Sequence, residues 1–191
     1  MIYLLKLAKM PISVAIIAIW IIIWLLVTVK DLAPMLAGKG LAQIGSQYYR
    51  LITAGLTHKN VIHLIINVCT MFFIGQLYEG KLGSIKFLIV GVLCAVLTQL
   101  IFLAIYSNTG ESIGGSAYNF ALCGFVLTTQ MLNPEFPKLT LCTWSGNWLL
   151  IYLIGSNIPL LSFINISTIV FHLVAFILGA VTAVILKVLN L

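Results

Sequence analysis

Ser116 stands in the run Gly114-Gly115-Ser116-Ala117 at the head of an apolar stretch, and His172 stands early in another apolar stretch 56 residues later. A serine hydroxyl is a poor nucleophile until a neighbouring base takes its proton, and an imidazole does this well near neutral pH. Together the two supply the minimum machinery for acyl transfer. Polar and ionisable groups are costly inside apolar segments, so their presence there marks a functional site. A tetrahedral oxyanion also needs donors fixed in advance. His63 and Asn67 share one helix face at i, i+4 spacing and supply two. The backbone N–H of Ser116, near a helix start, supplies a third. No apolar stretch carries a free Asp to orient His172, so the expected arrangement is a Ser-His dyad rather than a triad.

The elements that must bring these residues together are membrane helices. The chain has 191 residues, 62% hydrophobic and 7% charged, with a mean hydropathy of +1.17. No water-soluble domain of this size buries so much apolar surface, so the chain is read as an integral membrane protein. Charge-free stretches run over 18 residues from Ile12, 19 from Asn60, 24 from Phe87, 23 from Ser112 and 48 from Leu139. A span takes about 20 residues, and the last stretch is long enough for two. The expectation is an all-α polytopic membrane protein, one domain over 1–191 with six transmembrane helices. Their expected ranges are 11–30, 60–79, 86–107, 114–133, 145–161 and 168–188. The runs are continuous rather than alternating, which argues against strands.

In a six-span chain the second, fourth and sixth helices run in the same direction, so their first turns share one membrane face. His63 and Asn67, Ser116, and His172 each fall near such a start. At 1.5 Å rise per residue they lie roughly 5 to 12 Å below that surface. A nucleophile, a base and two donors are thus expected at one depth.

The net charge of +6 is no nucleic-acid signal, because the ten Lys and Arg residues sit singly at the ends of apolar stretches. With the N-terminus inside, Lys6, Lys9, Lys81, Lys86, Lys138 and Lys187 fall inside and Lys30, Lys39, Arg50 and Lys59 outside, an excess that favours this orientation. Cys69, Cys94, Cys123 and Cys142 include no CxxC pair and read as small packing residues. The three histidines lack a carboxylate or thiolate companion, so neither metal nor cofactor is expected. The first span is too long for a removable signal peptide and reads as permanent. Residues 31–59, with Pro34, Gly38, Gly40 and Gly45, read as an ordered loop at the membrane interface. The fifth and sixth helices divide between Gly155 and Ser167, with Ser162 to Ser167 the preferred break.

These residues resemble the rhomboid intramembrane serine proteases over about Tyr49 to Gly179. Tyr49-Arg50 looks like the family's Trp-Arg pair. His58, His63 and Asn67 keep the HxxxxHxxxN spacing, and Glu79 with Gly83 matches the ExxxG after it. Gly114-Gly115-Ser116-Ala117 looks like the GxSG/GxSA nucleophile motif, followed by a helix glycine at Gly124. His172 matches the base of the sixth helix. Three positions depart from the pattern. Tyr49 replaces tryptophan. Phe120 stands where many bacterial members have a tyrosine packing on the base. Ala175 replaces the first glycine of GxxxG, leaving Ala175-xxx-Gly179, still small-xxx-small.

The resemblance implies a peptidase that cuts in or beside transmembrane segments of other membrane proteins, with catalytic Ser116 and His172, and His63 and Asn67 at the transition state. Phe120 would pack on the base, and Gly124, Ala175 and Gly179 would let helices approach. Arg50, His58, Glu79 and Gly83 are read as structural, with backbone carbonyls, lipid phosphates or loop groups as partners for the two charged ones. The implied partners are transmembrane substrates and membrane lipids, with no nucleic acid. The chain's small size points to a bacterial plasma-membrane enzyme with a cytoplasmic N-terminus. Two rivals remain. One is a non-catalytic relative that binds and escorts membrane proteins, against which the retained Ser116 and His172 argue. The other is a small transporter, which calls for paired carboxylates or inverted repeats.

Overall fold

The computed structural model describes residues 8–159 and 165–190. Among these, six helices reach twelve residues or more: α1 (Pro11–Lys30), α2 (Val61–Ile74), α3 (Ser84–Ile105), α4 (Ser116–Leu132), α5 (Trp144–Gly155) and α6 (Ile166–Val188). Their starts follow from local chemistry. Pro11 opens α1, where a missing N–H costs nothing. Asn60, Thr143 and Asn165 cap α2, α5 and α6, each side chain accepting a first-turn N–H. α2 continues through a widened π turn, Gly75–Glu79, and a last turn at Gly80–Leu82.

The bundle is apolar outside as well as inside. Ile22, Leu25, Leu26 and Val29 of α1, Ile85 and Leu93 of α3, and Ile177 and Val181 of α6 all face outward. Apolar surface on that scale needs hydrocarbon to cover it. Four helices are long and apolar enough to cross a membrane: Pro11–Lys30, Val61–Leu82, Ser84–Ile105 and Ile166–Val188. The chain is an all-α integral membrane protein.

α4 and α5 are shorter, at 17 and 12 residues. α4 is the central post, with every residue from Ser116 to Val126 buried. A helix of its length rises roughly 25 Å, less than the ~30 Å hydrocarbon layer. Enclosed by its neighbours, it need not reach both surfaces, and its Ser116 end is free to sit beneath one. Small residues permit the enclosure: Gly124 lies against the Phe176 carbonyl of α6, Gly179 against the Ala121 carbonyl of α4, and Gly91 of α3 against the Tyr118 ring. α5 fastens to α2 where Trp148 Nε1 donates to Thr70 Oγ1 at 2.9 Å.

α5 ends at Gly155 rather than near 161. Gly155, Ser156 and Asn157 are weak helix formers, and Ile158 precedes Pro159, which disfavours the α conformation. The expected break at Ser162 to Ser167 falls partly on residues 160–164, outside the described residues, as does Lys6. α6 starts two residues before the expected 168.

The segment between α1 and α2 is folded. Arg50 is buried and holds it, its guanidinium donating to the carbonyls of Pro34 (3.0 Å) and Ala37 (2.7 Å) and to Gln47 Oε1 (2.7 Å). Strand β1 (Gly38–Lys39) pairs antiparallel with β2 (Glu111–Ser112), tying this loop to the α3–α4 connection. At the opposite face Glu79 is fully buried. Its carboxylate accepts from Ile12 N–H (2.8 Å), Ser13 N–H (2.8 Å), Ser13 Oγ (2.6 Å) and Ser84 Oγ (2.7 Å). It thereby caps the first turn of α1, at the positive end of that helix's dipole.

Candidate active site

Ser116 is the first residue of α4, and the turn before it is shaped from outside. Gly114 has φ +122°, a conformation that side chains rarely adopt, and a methyl there would run into the His63 imidazole. A methyl on Gly115 would meet the Trp20 indole of α1. The backbone is pinned too: Gly114 N–H donates to the Ala54 carbonyl at 2.9 Å and Gly115 N–H to His58 Nε2 at 3.2 Å. Two glycines therefore admit two rings, and the loop between α1 and α2 holds the turn.

His58 sits edge-on between Trp20 and His63, with ring centroids 5.4 Å and 5.2 Å away. Burial, and then the neighbouring His63, push its pKa down to about 3. Its bond from Gly115 needs that neutral form, because a protonated Nε2 has no lone pair to offer. The other ring nitrogen, Nδ1, has no partner among the described residues.

His172 enters from the second turn of α6. Its ring stacks on Phe120 with centroids 4.1 Å apart and planes 14° apart, and Tyr152 packs on Phe120 in turn, with centroids 4.8 Å apart. Phe120 lies one turn after Ser116 on α4, so the imidazole is held beside the serine's own helix face. Ala175, fully buried, packs with Ala117, Phe120 and Phe171 along the same seam. Nδ1 of His172 is occupied by the Ser156 carbonyl and Asn157 Oδ1. Neither Ser116 Oγ nor His172 Nε2 has a hydrogen-bond partner among the described residues. Both residues are buried, each keeping 6% of its surface exposed.

Asn67 is held in a network of amide hydrogen bonds. Its Nδ2 donates to the His63 carbonyl one turn back (3.0 Å), while its Oδ1 accepts from Asn119 Nδ2 of α4 (3.0 Å). Asn119 also donates to the Asn67 carbonyl at 3.1 Å. The two amides thus lock α2 to α4 beside the site. The sequence reading passed over Asn119, although its position three residues after Ser116 on a buried helix was a signal. It also passed over Asn157, which it placed within the fifth helix, and Trp20, which looks like any apolar residue of α1. The first-turn N–H groups of Ser116, Ala117 and Tyr118 have no partner among the described residues and point out of the helix start.

Chemically, the arrangement offers a hydroxyl at a helix N-terminus, an imidazole whose Nε2 is free, and unspent N–H donors beside the hydroxyl. Among the described residues no group of three or more His, Cys, Asp or Glu side chains is placed to hold a metal ion.

Comparison with known proteins bears on this geometry. The rhomboid domain model matches residues 45–188. The chain is 30% identical over 90 residues to RHOMBOID-like protein 7 of Arabidopsis thaliana, a match covering 46% of this chain and 28% of that protein. It is 26% identical over 106 residues to Rhomboid protease GlpG of Enterobacter sp. (strain 638), covering 53% and 37%. It is 24% identical over 132 residues to Rhomboid protease GlpG of Yersinia pestis (strain Pestoides F), covering 65% and 45%. The chain spans less than half the length of these relatives.

Proposed function

The chain belongs to the rhomboid family, and we propose that it is an intramembrane serine endopeptidase acting through Ser116 and His172. The substrates are other membrane proteins, cut at peptide bonds in or beside a transmembrane segment. The observation that carries this reading is the stack of His172 on Phe120, one turn from Ser116 on a helix buried from Ser116 to Val126.

The steps follow from the groups present. His172 Nε2 takes the Ser116 proton as Oγ attacks the scissile carbonyl carbon. The oxyanion forms at the start of α4, where the Ser116 N–H and the dipole of the helix favour negative charge. His63, held over Gly114, is a side-chain donor beside that turn. Asn67 Nδ2 spends one of its two N–H groups on the His63 carbonyl, which leaves the second for the oxyanion. Its standing role is to fix the His63 turn against α4. The imidazolium then returns its proton to the leaving amine, and water, activated by the same base, hydrolyses the acyl-enzyme. The base and nucleophile close to bonding distance when substrate fills the site, as catalytic hydrogen bonds commonly do. The Lys and Arg distribution supports an N-terminus in the cytoplasm and a site opening outward, as in a bacterial plasma membrane.

The test is cleavage of a model transmembrane substrate in liposomes, with labelling by a fluorophosphonate. Ser116→Ala and His172→Ala should each abolish cleavage, and Ser116→Ala should abolish labelling, with thermal unfolding little changed. Substantial turnover by Ser116→Ala would sink the assignment.

A further inference from the structure

His172 is held from two directions, and the Phe120 ring accounts for only one. Its Nδ1 lies 3.2 Å from the Ser156 carbonyl oxygen and 3.1 Å from Asn157 Oδ1. A carbonyl oxygen can only accept, so the first contact requires a proton on Nδ1. The Asn157 amide is oriented independently: its Nδ2 donates to the Leu153 carbonyl in the last turn of α5 at 2.8 Å, which turns Oδ1 toward the imidazole. Both contacts select one tautomer, with Nδ1 protonated and the Nε2 lone pair left for Ser116. The opposite tautomer would set the Nδ1 lone pair against two oxygens.

We propose that Asn157 is the positioning residue for the base, so that the expected dyad works as a Ser116–His172–Asn157 series. The proposal rests on the reading of Ser116 and His172 as nucleophile and base. Phe120 fixes the plane of the imidazole, and Asn157 with the Ser156 carbonyl fixes its rotation within that plane. The contact strengthens during the reaction. When Nε2 takes the serine proton the ring becomes cationic, and the Nδ1–H to Oδ1 bond becomes charge-assisted, roughly twice as strong as a neutral one. The C-terminal end of α5, with the negative end of its dipole, lies on the same side of the ring and favours that cation. An amide does this without placing a second buried charge beside the site, where a carboxylate would be costly.

The experiment compares Asn157→Leu, Asn157→Ala, Asn157→Asp and Ser116→Ala, each as the full chain in liposomes. It reads kcat and KM on a transmembrane reporter, the second-order rate of fluorophosphonate labelling, and thermal unfolding. Loss of a hydrogen bond to a charged group predicts a fall of about 10- to 100-fold in kcat for the Leu and Ala variants. KM should stay unchanged and labelling should slow in parallel, while Asn157→Asp, which keeps an acceptor for Nδ1 but loses the donor to the Leu153 carbonyl, recovers only part of the rate. If the Leu variant does not fold, the Ala variant gives the same reading. Wild-type kcat and labelling in Asn157→Ala, beside an inactive Ser116→Ala, would overturn the positioning role alone. So would equal losses in all three Asn157 variants that track a lowered unfolding temperature. Turnover by Ser116→Ala would instead remove the nucleophile on which the proposal rests.

Discussion

The seam between α4 and α6 gives the sharpest mutational test, with Gly179→Ala as the perturbation. A methyl on Gly179 would overlap the Ala121 carbonyl oxygen and lie 3.0 Å from the Phe125 backbone nitrogen. Both obstacles are main-chain atoms of α4, and neither can swing aside as a side chain would. Restoring an ordinary contact of roughly 3.4 to 4 Å separates the helices locally by about 1 Å or more. Overpacking of this kind typically costs about 1–3 kcal/mol. The strain should reach the site, because Gly179 is seven residues from His172 on α6, roughly 10 Å along the axis. Displacing reacting groups by about 1 Å can cost roughly 100-fold in rate. Gly179→Ala should therefore label with fluorophosphonate and cleave a transmembrane reporter about 100-fold more slowly, with a lowered unfolding temperature. Ala175→Gly removes a methyl from the same seam and should stay near the wild-type rate. Wild-type labelling and unchanged unfolding in Gly179→Ala would refute the claim that backbone contact at this seam sets the position of His172.

Glu79→Gln turns one acceptor oxygen into a donor facing groups that themselves donate, and should destabilise by about 3 kcal/mol or more. Unfolding at the wild-type temperature would show that the carboxylate is dispensable. His58 is held neutral in the fold, with a pKa of about 3 against an ordinary 6.5. As pH falls below about 6.5 the unfolded chain binds the proton first, so stability drops progressively toward pH 3. In His58→Gln, which keeps an acceptor for Gly115, this loss is absent. The stability advantage of the wild type should narrow as pH falls, and a constant difference would contradict the assignment. For orientation, Thr109→Cys in a background without native cysteines should react with an impermeant maleimide from outside the cell. Reaction only after the membrane is breached would reverse the topology.

The parts legible in the sequence are those whose signal is local. Pro11, Asn60 and the charge-free runs announce α1 to α3 within a few residues, because starts and apolar lengths are written in neighbouring positions. Ser116 and His172 stood out because polar chemistry in an apolar run needs a reason. What stayed hidden depends on contacts distant in sequence. Glu79 could be marked as anomalous, but its partners at Ile12 and Ser13 follow no pattern within its own segment. Trp20 looks like any apolar residue of α1 until Gly115 is set against it. Asn157 was obscured by length: an apolar run of 48 residues invited a longer α5, and the short one places this amide where the helix gives out. The two-residue strands Gly38–Lys39 and Glu111–Ser112 are too brief for any periodicity to show.

The carboxylate of Glu79 has a consequence for how the protein is made. Ribosomal synthesis delivers α1 first, with the amides of Ile12 and Ser13 lacking their partner until a residue 66 or 67 positions later arrives. Glu79, in turn, enters the bilayer as a charge whose donors lie partly on a helix already inserted. Neither segment is comfortable alone in lipid, so α1 and α2 must mature as a pair. Until they do, Trp20 has not been brought against Gly115, and the wall behind the serine is missing. A nascent chain would thus carry its nucleophile with an unfinished backing, keeping hydrolysis off until Glu79 has capped the first helix.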